Sequence, residues 1–205
     1  MRRLAIILIA VLLLAGCADG GDAAPTSLPT HIPSTTPTPT PTPKAAKPDG
    51  SRSQPYPFGT IIHTSDDSMW DFTIHSPQAD ANSWVAQADE YNDAPSGGNT
   101  WVGANIAVTV RDIAELAVNE AIAPSLSLSP VFVGSSGTVY DFWTEGSPAL
   151  FGGKSWNSQP DVFVSVGMNW DQPFALQTPA NEVVGGYFAV QHSVSGKTIF
   201  FGNPS

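Results

Sequence analysis

Cysteine and basic residues are scarce in this chain. Its 205 residues include one cysteine, Cys17, so no disulfide can form within the chain. Lysine and arginine together number 8, whereas aspartate and glutamate number 18. Within residues 54–205 the basic residues number three and the acidic residues fifteen, which gives a net charge of −12. Because this charge opposes binding to nucleic acid and to anionic lipid headgroups, we expect no nucleic-acid partner.

Common catalytic and metal-binding motifs are absent as well. The sequence has no HExxH, no CxxC and no D-x-D-x-D-G pattern. "GGKS" at 152–155 and "SGKT" at 195–198 resemble the end of a P-loop, but Pro148 and Gln191 replace the glycine required five positions earlier. We interpret both segments as turns between strands. We therefore expect no cofactor and no enzymatic activity.

Three histidines, His63, His75 and His192, can meet carboxylates once the chain folds. A catalytic triad is recognised by its geometry, which a sequence does not show. A hydrolase with an unrecognised site is therefore the least favoured alternative.

The chain begins with a short apolar segment. Two arginines precede the apolar run at 4–14, whose eleven residues are too few to cross a bilayer as a helix, since that needs about 20. The run leads into "LAGC", which resembles a bacterial lipobox. The resemblance implies that residues 1–16 are a lipoprotein signal peptide and that Cys17 is lipidated. Such an anchor places the protein on the extracytoplasmic face of the cell membrane.

Residues 17–53 contain almost nothing that can fill a hydrophobic core. The Thr/Pro alternation in "PSTTPTPTPTPK" favours extended polyproline II. At about 3.1 Å per residue, this segment reaches roughly 110 Å when fully extended. We predict a disordered tether that carries a single domain, residues 54–205, which is large enough to bury a core without disulfides.

Alternation of apolar and polar residues predicts that this domain is all-β. "WVGANIAVTVR" at 101–111 places its aliphatic side chains on one parity, and "WDFTI" at 70–74 and "DVFVSVGM" at 161–168 alternate in the same way. The segments 126–143 and 182–201 each predict a β-hairpin around a glycine-containing turn. At least seven short strands predict an antiparallel two-sheet sandwich.

Two segments modify this strand pattern. Pro130 lies inside the first strand of one hairpin, which predicts an edge or bulged strand there. "DIAELAVNEAIAP" at 112–124 has high helix propensity, so we predict one short helix or a long crossover in that segment.

Three tryptophans lie beside polar or turn residues: Trp143, Trp156 and Trp170. Aromatic faces bordered by carboxylates and amides stack on sugar rings and hydrogen-bond their hydroxyls. The three residues therefore form a candidate ligand surface. The alternative is that they cover the ends of the sandwich core.

The segment "DEYND" at 89–93 concentrates three carboxylates: Asp89, Glu90 and Asp93. Oxygen-rich loops of this kind can hold calcium, with the pair Asp66 and Asp67 as a weaker second candidate. Because most such loops are solvated, we assign no metal and keep 89–93 as a candidate acidic surface.

Three segments carry a resemblance to a known family: "APSGGNTWVGANIAVTV", "VFVGSSGTVYDF" and "PANEVVGGYFAVQ". With the lipobox and the tether, they resemble a family of immunoglobulin-like domains of unknown function in Gram-positive lipoproteins, over about residues 58–201. The resemblance implies an immunoglobulin-like sandwich at the membrane surface and supplies no catalytic residue.

These observations predict a non-enzymatic, membrane-anchored lipoprotein that binds a protein partner or ligand at the cell surface. Tethering raises the local concentration of such a domain without any new contact. The alternative is a carbohydrate-binding module that uses exposed tryptophans, which makes a glycan the second candidate partner.

Overall fold

The structure of the protein is a computed structural model. The predicted signal peptide, Cys17 and most of the predicted tether lie outside the residues that the structure describes, as do Asp66, Asp67 and the segment 112–120. The described ranges are 47–63, 69–111, 121–122, 124–144, 148–158, 162–163, 166–193 and 195–202.

Two antiparallel sheets of four strands form the domain, which confirms the predicted all-β sandwich. The immunoglobulin-like resemblance stays a prediction. The first sheet has the order β1 (Ile62–His63), β2 (Trp70–Gln78), β3 (Asn99–Val110) and β8 (Asn169–Pro179). The second has the order β10 (Lys197–Phe200), β9 (Tyr187–His192), β5 (Leu128–Val133) and β6 (Val139–Tyr140).

Short elements connect the two sheets. A separate pair of strands is formed by β4 (Ala121–Ile122) and β7 (Val162–Phe163). The α-helices are α1 (Asn82–Ala88) and α2 (Ala180–Val183), and single 3₁₀ turns occur at Pro124–Leu126 and Trp156–Ser158. Within the described ranges, no helix has the length and apolar character needed to span a membrane.

The predicted alternation in β3 and β2 is confirmed. Val102, Ala104, Ile106, Val108 and Val110 are all buried on the inner face of β3. Because side chains alternate across a strand, this leaves the other parity on the outer face of the sheet. The inner face of β2 is buried in the same way.

Phenylalanines from both sheets join across the core. Phe188 of β9 packs edge to face against Phe132 of β5, with ring centroids 5.2 Å apart, and against Phe174 of β8 at 5.9 Å. Edge-to-face pairs at these separations add stability beyond the apolar area that they bury. Phe174 and Phe188 therefore hold the first sheet against the second.

The strand predicted at 161–168 is wrong in its extent. Only Val162–Phe163 form a strand within the described part of that segment, and Val166 and Gly167 lie in a turn where Gly167 has a φ of 83°. The long strand is β8, which begins at Asn169. It was missed because it contains two prolines, which an edge strand with a neighbour on one side tolerates.

The hairpin predictions are confirmed, and Pro130 has the expected setting. Pro130 pairs with Val190 of β9, but β6 pairs only with Phe132 and Val133. Among the described strands, β5 therefore has a neighbour on one side only at Pro130. The missing N–H of this proline thus costs the sheet no hydrogen bond.

Residues 50–56, at the predicted end of the tether, form hydrogen bonds with the second sheet. The amide of Phe200 donates to the carbonyl of Gly50 over 2.8 Å, and the amide of Tyr56 donates to the carbonyl of Phe200 over 2.9 Å. Arg52 donates to the carbonyls of Gly134 and Ser135. The bonds of Gly50 and Tyr56 cover the free edge of β10, and because all of these bonds are polar, no apolar pattern in the sequence predicts them.

Trp156 is a core residue, contrary to its prediction as part of a ligand surface. Its side chain is 1% exposed, and its indole N–H donates to the carbonyl of Leu128 over 2.8 Å. A buried carbonyl without a partner is costly, so the indole both fills space and satisfies the backbone. Its polar neighbours in the sequence belong to the 3₁₀ turn that places the Trp156 side chain in the core.

We expect Trp156→Ala to lower the free energy of unfolding by about 3–5 kcal/mol, because it opens a large cavity. Trp156→Phe keeps most of the volume but orphans the Leu128 carbonyl, so we expect a loss of about 1–3 kcal/mol. Urea denaturation measures both. Trp143→Ala is the matched control, since this exposed side chain should change stability by less than about 0.5 kcal/mol. Equal losses at the two tryptophans would contradict the assignment.

Candidate functional site

Helix α1 and two loops, residues 89–95 and 148–154, form a surface that we call the α1 corner. Val85 of α1 packs with Trp101 and Ala175 on the outer face of the first sheet. Gly103 makes room for the helix, since a Cβ there would lie 2.8 Å from the Trp84 ring. On the outer face, Gly103 and Ala175 therefore leave space for the helix beside Trp101.

Asn92 joins the three parts of the α1 corner. Its side-chain amide donates to the carbonyls of Val85 and Leu150 over 2.8 Å each, and its side-chain oxygen accepts from the amide of Leu150 over 2.7 Å. These three bonds connect the end of α1, the acidic loop and the 148–154 loop. The two loops that the sequence singled out separately are thus held together.

Asp89 is a second structural link between the loops. One carboxylate oxygen accepts from the amide of Tyr91 over 3.0 Å, and the other accepts from the amide of Gly153 over 2.6 Å. Because both oxygens hold backbone amides, Asp89 supports the loop and is poorly placed to bind calcium. The "GGKS" segment is the turn between Phe151 and Lys154, as predicted.

The remaining side chains of the acidic loop face solvent. Tyr91 is 76% exposed, and Glu90 and Asp93 are also exposed. No described residue forms a hydrogen bond or ion pair with the carboxylate of Glu90 or of Asp93. In the described ranges, no three histidine, cysteine, aspartate or glutamate side chains are grouped so as to hold a metal ion.

A shallow groove of about 280 Å³ adjoins the loop. Residues of α1 form one wall, Asp93, Ala94 and Pro95 form the other, and Trp101 lies at its base. The indole N–H of Trp101 donates to the carbonyl of Asp93 over 3.4 Å, which ties the outer wall to the sheet. The α1 corner thus offers an aromatic ring, two carboxylates and an apolar groove on a braced frame.

The three predicted tryptophans do not form one platform. Trp156 lies in the core, and Trp170 is partly buried with its ring edge to face against Trp70 at 5.9 Å. Trp143 is 73% exposed, in a turn where its amide donates to Asp141. Of the three, only Trp143 presents a full aromatic face to a ligand.

Two histidines meet carboxylates on the outer face of the first sheet. The Nδ1 atom of His63 lies 2.7 Å from Asp71, and the Nε2 atom of His75 lies 3.0 Å from Asp171. Ser76 lies 3.1 Å from the other ring nitrogen of His75 and has a φ of 51° at a bulge of β2. Both pairs are solvent-accessible, where ion pairs contribute at most about 1 kcal/mol.

His192 is buried on the inner face of β9. Its Nδ1 accepts from the amide of Ser195 over 3.2 Å and lies 2.8 Å from the hydroxyl oxygen of Ser195. Burial lowers the pKa of His192, and the charge of Lys197 lowers it further. The imidazole is therefore neutral in the folded protein near neutral pH.

Sequence reasoning named the acidic loop but missed the residues that position it. Asn92 supplies the one side-chain amide among the carboxylates of 89–93, and an amide can bond donors and acceptors at once. Helix α1 was missed because its seven residues show only one buried apolar position, Val85.

We expect Asn92→Ala to lower the free energy of unfolding by about 1–3 kcal/mol, because it leaves backbone groups of Val85 and Leu150 without partners. Amide exchange at Leu150 should accelerate with it. Gln87→Ala, on the exposed side of α1, serves as the control and should change stability by less than about 0.5 kcal/mol. If the two variants behave alike, Asn92 does not hold the loops together.

Stability should also depend on pH through His192. Since the folded state disfavours its protonation, the unfolded chain binds more protons below the ordinary histidine pKa of about 6.5. The free energy of unfolding should therefore fall as the pH drops below about 6.5. Urea denaturation between pH 8 and pH 5 measures this slope, which His192→Gln should reduce; an unchanged slope in that variant would refute the assignment.

Comparisons with known proteins give one distant structural likeness. No family model matches the chain, and no curated protein matches it. A conserved hypothetical protein from Bacillus anthracis, whose crystal structure was determined at 2.2 Å, is similar over 71% of this chain and 94% of that chain. The sequence identity is 10% and the TM-score is 0.41, a level that assigns neither a family nor a function.

Proposed function

We propose that this protein is a non-enzymatic, membrane-tethered binding module of the extracytoplasmic surface that docks a protein partner at the α1 corner. The proposal rests on the exposed ring of Tyr91, which a hydrogen-bonded loop holds out from the surface. Its ring is 76% exposed, while its neighbours Asn92 and Asp89 are fixed by hydrogen bonds to the 148–154 loop. An aromatic side chain held out on a rigid loop loses little entropy on binding.

The chemistry of the α1 corner specifies the kind of partner. Glu90 and Asp93 flank Tyr91, and the domain as a whole is strongly acidic. Complementary charge speeds encounter and excludes partners of like charge. The partner is therefore a protein with a basic segment that places an apolar side chain in the groove above Trp101.

The proposed tether supports this function. Lipidation of Cys17 and a Thr/Pro-rich spacer would confine the domain to a shell near the membrane and raise its local concentration for surface partners. The predicted anchor and the proposed docking surface are independent features. Loss of the anchor should change where binding occurs, and loss of the docking surface should change whether binding occurs.

Site-specific crosslinking tests the proposal. A photoreactive phenylalanine analogue at position 91 of the full-length protein, expressed in the producing cell, should yield one reproducible protein adduct. The adduct should disappear in Glu90→Gln/Asp93→Asn and weaken as ionic strength rises, since exposed charges are screened over about 8–10 Å at physiological salt. The same probe at Val184, which is 87% exposed in the loop after α2, is the matched control.

Two outcomes would overturn the proposal. An adduct of equal yield from positions 91 and 184, or one that survives neutralisation of Glu90 and Asp93, would show that capture is not specific to the α1 corner. An adduct with glycan that depends on Trp143 would favour the carbohydrate-binding alternative, for which the 73% exposure of that ring is the supporting observation.

A further inference from the structure

A second cavity lies on the opposite face of the sandwich from the α1 corner. Its volume is about 380 Å³, and it opens at one end of the second sheet. Its floor is one row of paired residues on neighbouring strands: Ser129 pairs with Gln191, and Gln191 pairs with Thr198. Their strand neighbours Leu128, Val190 and Ile199 are buried in the core, so this row points to the outer face. We call this cavity the serine pocket.

The wall of the serine pocket is braced by hydrogen bonds. It consists of Ser125, Leu126, Ser127 and Ser193. The amide of Ser193 donates to the carbonyl of Ser127 over 2.9 Å, and the hydroxyl of Ser193 donates to the carbonyl of Leu126 over 3.1 Å. The wall is therefore fixed to the end of β9 and is present before any ligand arrives.

The pocket contains hydrogen-bonding capacity that the fold does not use. The hydroxyls of Ser125, Ser127, Ser129 and Thr198 form no hydrogen bond with the described part of the protein, and neither does the side-chain amide of Gln191. Concave sites with several converging polar groups are where small ligands bind. Four hydroxyls and one amide in the lining of one cavity are therefore available to a ligand.

The charge of the serine pocket differs from that of the domain. Lys197 is one of three basic residues in 54–205, and it lines the cavity. None of the described residues that line the cavity is acidic. The positive charge of Lys197 also contributes to the lowered pKa of His192 beneath the floor, so its field acts at this site.

We propose that the serine pocket binds a small ligand through an oxyanion group, a carboxylate or a phosphate. Hydroxyls of the floor and wall donate hydrogen bonds to its oxygens, and Lys197 supplies the counter-charge. A charge-assisted hydrogen bond is about twice as strong as a neutral one, which makes the anion the best use of this donor set. The described lining includes no tryptophan, tyrosine or phenylalanine ring on which a neutral sugar can stack, and its one imidazole, that of His192, is buried.

Nuclear magnetic resonance titration of the full chain in detergent micelles tests this site. Inorganic phosphate and acetate are the two probes, added against chloride at constant ionic strength, and glucose is the neutral comparison. We expect saturable shifts of the amide signals of Ser127, Gly196 and Thr198 with at least one anion. Phosphate acting alone indicates a phosphoryl ligand, and acetate acting alone indicates a carboxylate.

Variants decide whether the shifts report the proposed contacts. Lys197→Gln should weaken the anion affinity at least about tenfold, as expected for loss of a charge-assisted bond. Ser129→Ala should weaken it less, because a single neutral hydroxyl is lost. Lys154→Gln removes an equal charge from the α1 corner and should leave the affinity unchanged.

Three results would overturn the inference. These are shifts that do not saturate for either anion, equal affinities in Lys197→Gln and Lys154→Gln, or saturable shifts with glucose alone. None of them bears on the α1 corner, which lies on the first sheet and is tested by crosslinking. Each of the two proposals can therefore be refuted without affecting the other.

Discussion

The fold depends on strand β3, because its inner face lies in the core and helix α1 covers the first part of its outer face. Its inner face supplies five buried residues to the core between the sheets, and its outer face seats helix α1 over Trp101 and Gly103. A chain with no internal disulfide must obtain its stability from such burial. A strand held in this way also fixes the elements that pack against it. The α1 corner is rigid for this reason, and the strand also fixes the position of the acidic loop.

Polar side chains hold the loops where apolar packing ends. Asn92 and Asp89 satisfy backbone groups of the 148–154 loop, and Arg52 does the same for the loop at Gly134. Each side chain bonds main-chain atoms of a loop. Loops fixed in this way keep a defined shape while their other residues remain exposed, and those exposed residues are the ones available to a partner.

The sequence predicted the parts of the fold that one buried face dictates. β3, β2 and the two hairpins were predicted correctly because alternation is unavoidable when one side of a strand lies in a core. β8 was not predicted because it contains Pro173 and Pro179, which an edge strand tolerates but which are typical of loops. Trp156 was misplaced because polar neighbours in a tight turn say little about where a long side chain points.

The serine pocket could not be predicted from sequence for a different reason. Its lining residues come from β5, β9, β10 and a 3₁₀ turn. The sequence predicts the β9–β10 hairpin, but it does not show that β5 lies beside β9. Serines scattered over about 70 positions carry no common pattern. Only the register that pairs Ser129 with Gln191, and Gln191 with Thr198, brings them to one surface.

An anion site on so acidic a domain is physically consistent because the opposing charges are separated. The exposed carboxylates Glu90 and Asp93 lie over the first sheet, whereas Lys197 lies on the second. Packed sheets are about 10 Å apart, and the layers outside them add further distance. Physiological salt screens exposed charges over about 8 Å. The potential at the serine pocket is therefore set by its own lining, and the two faces of the sandwich can select ligands of opposite charge.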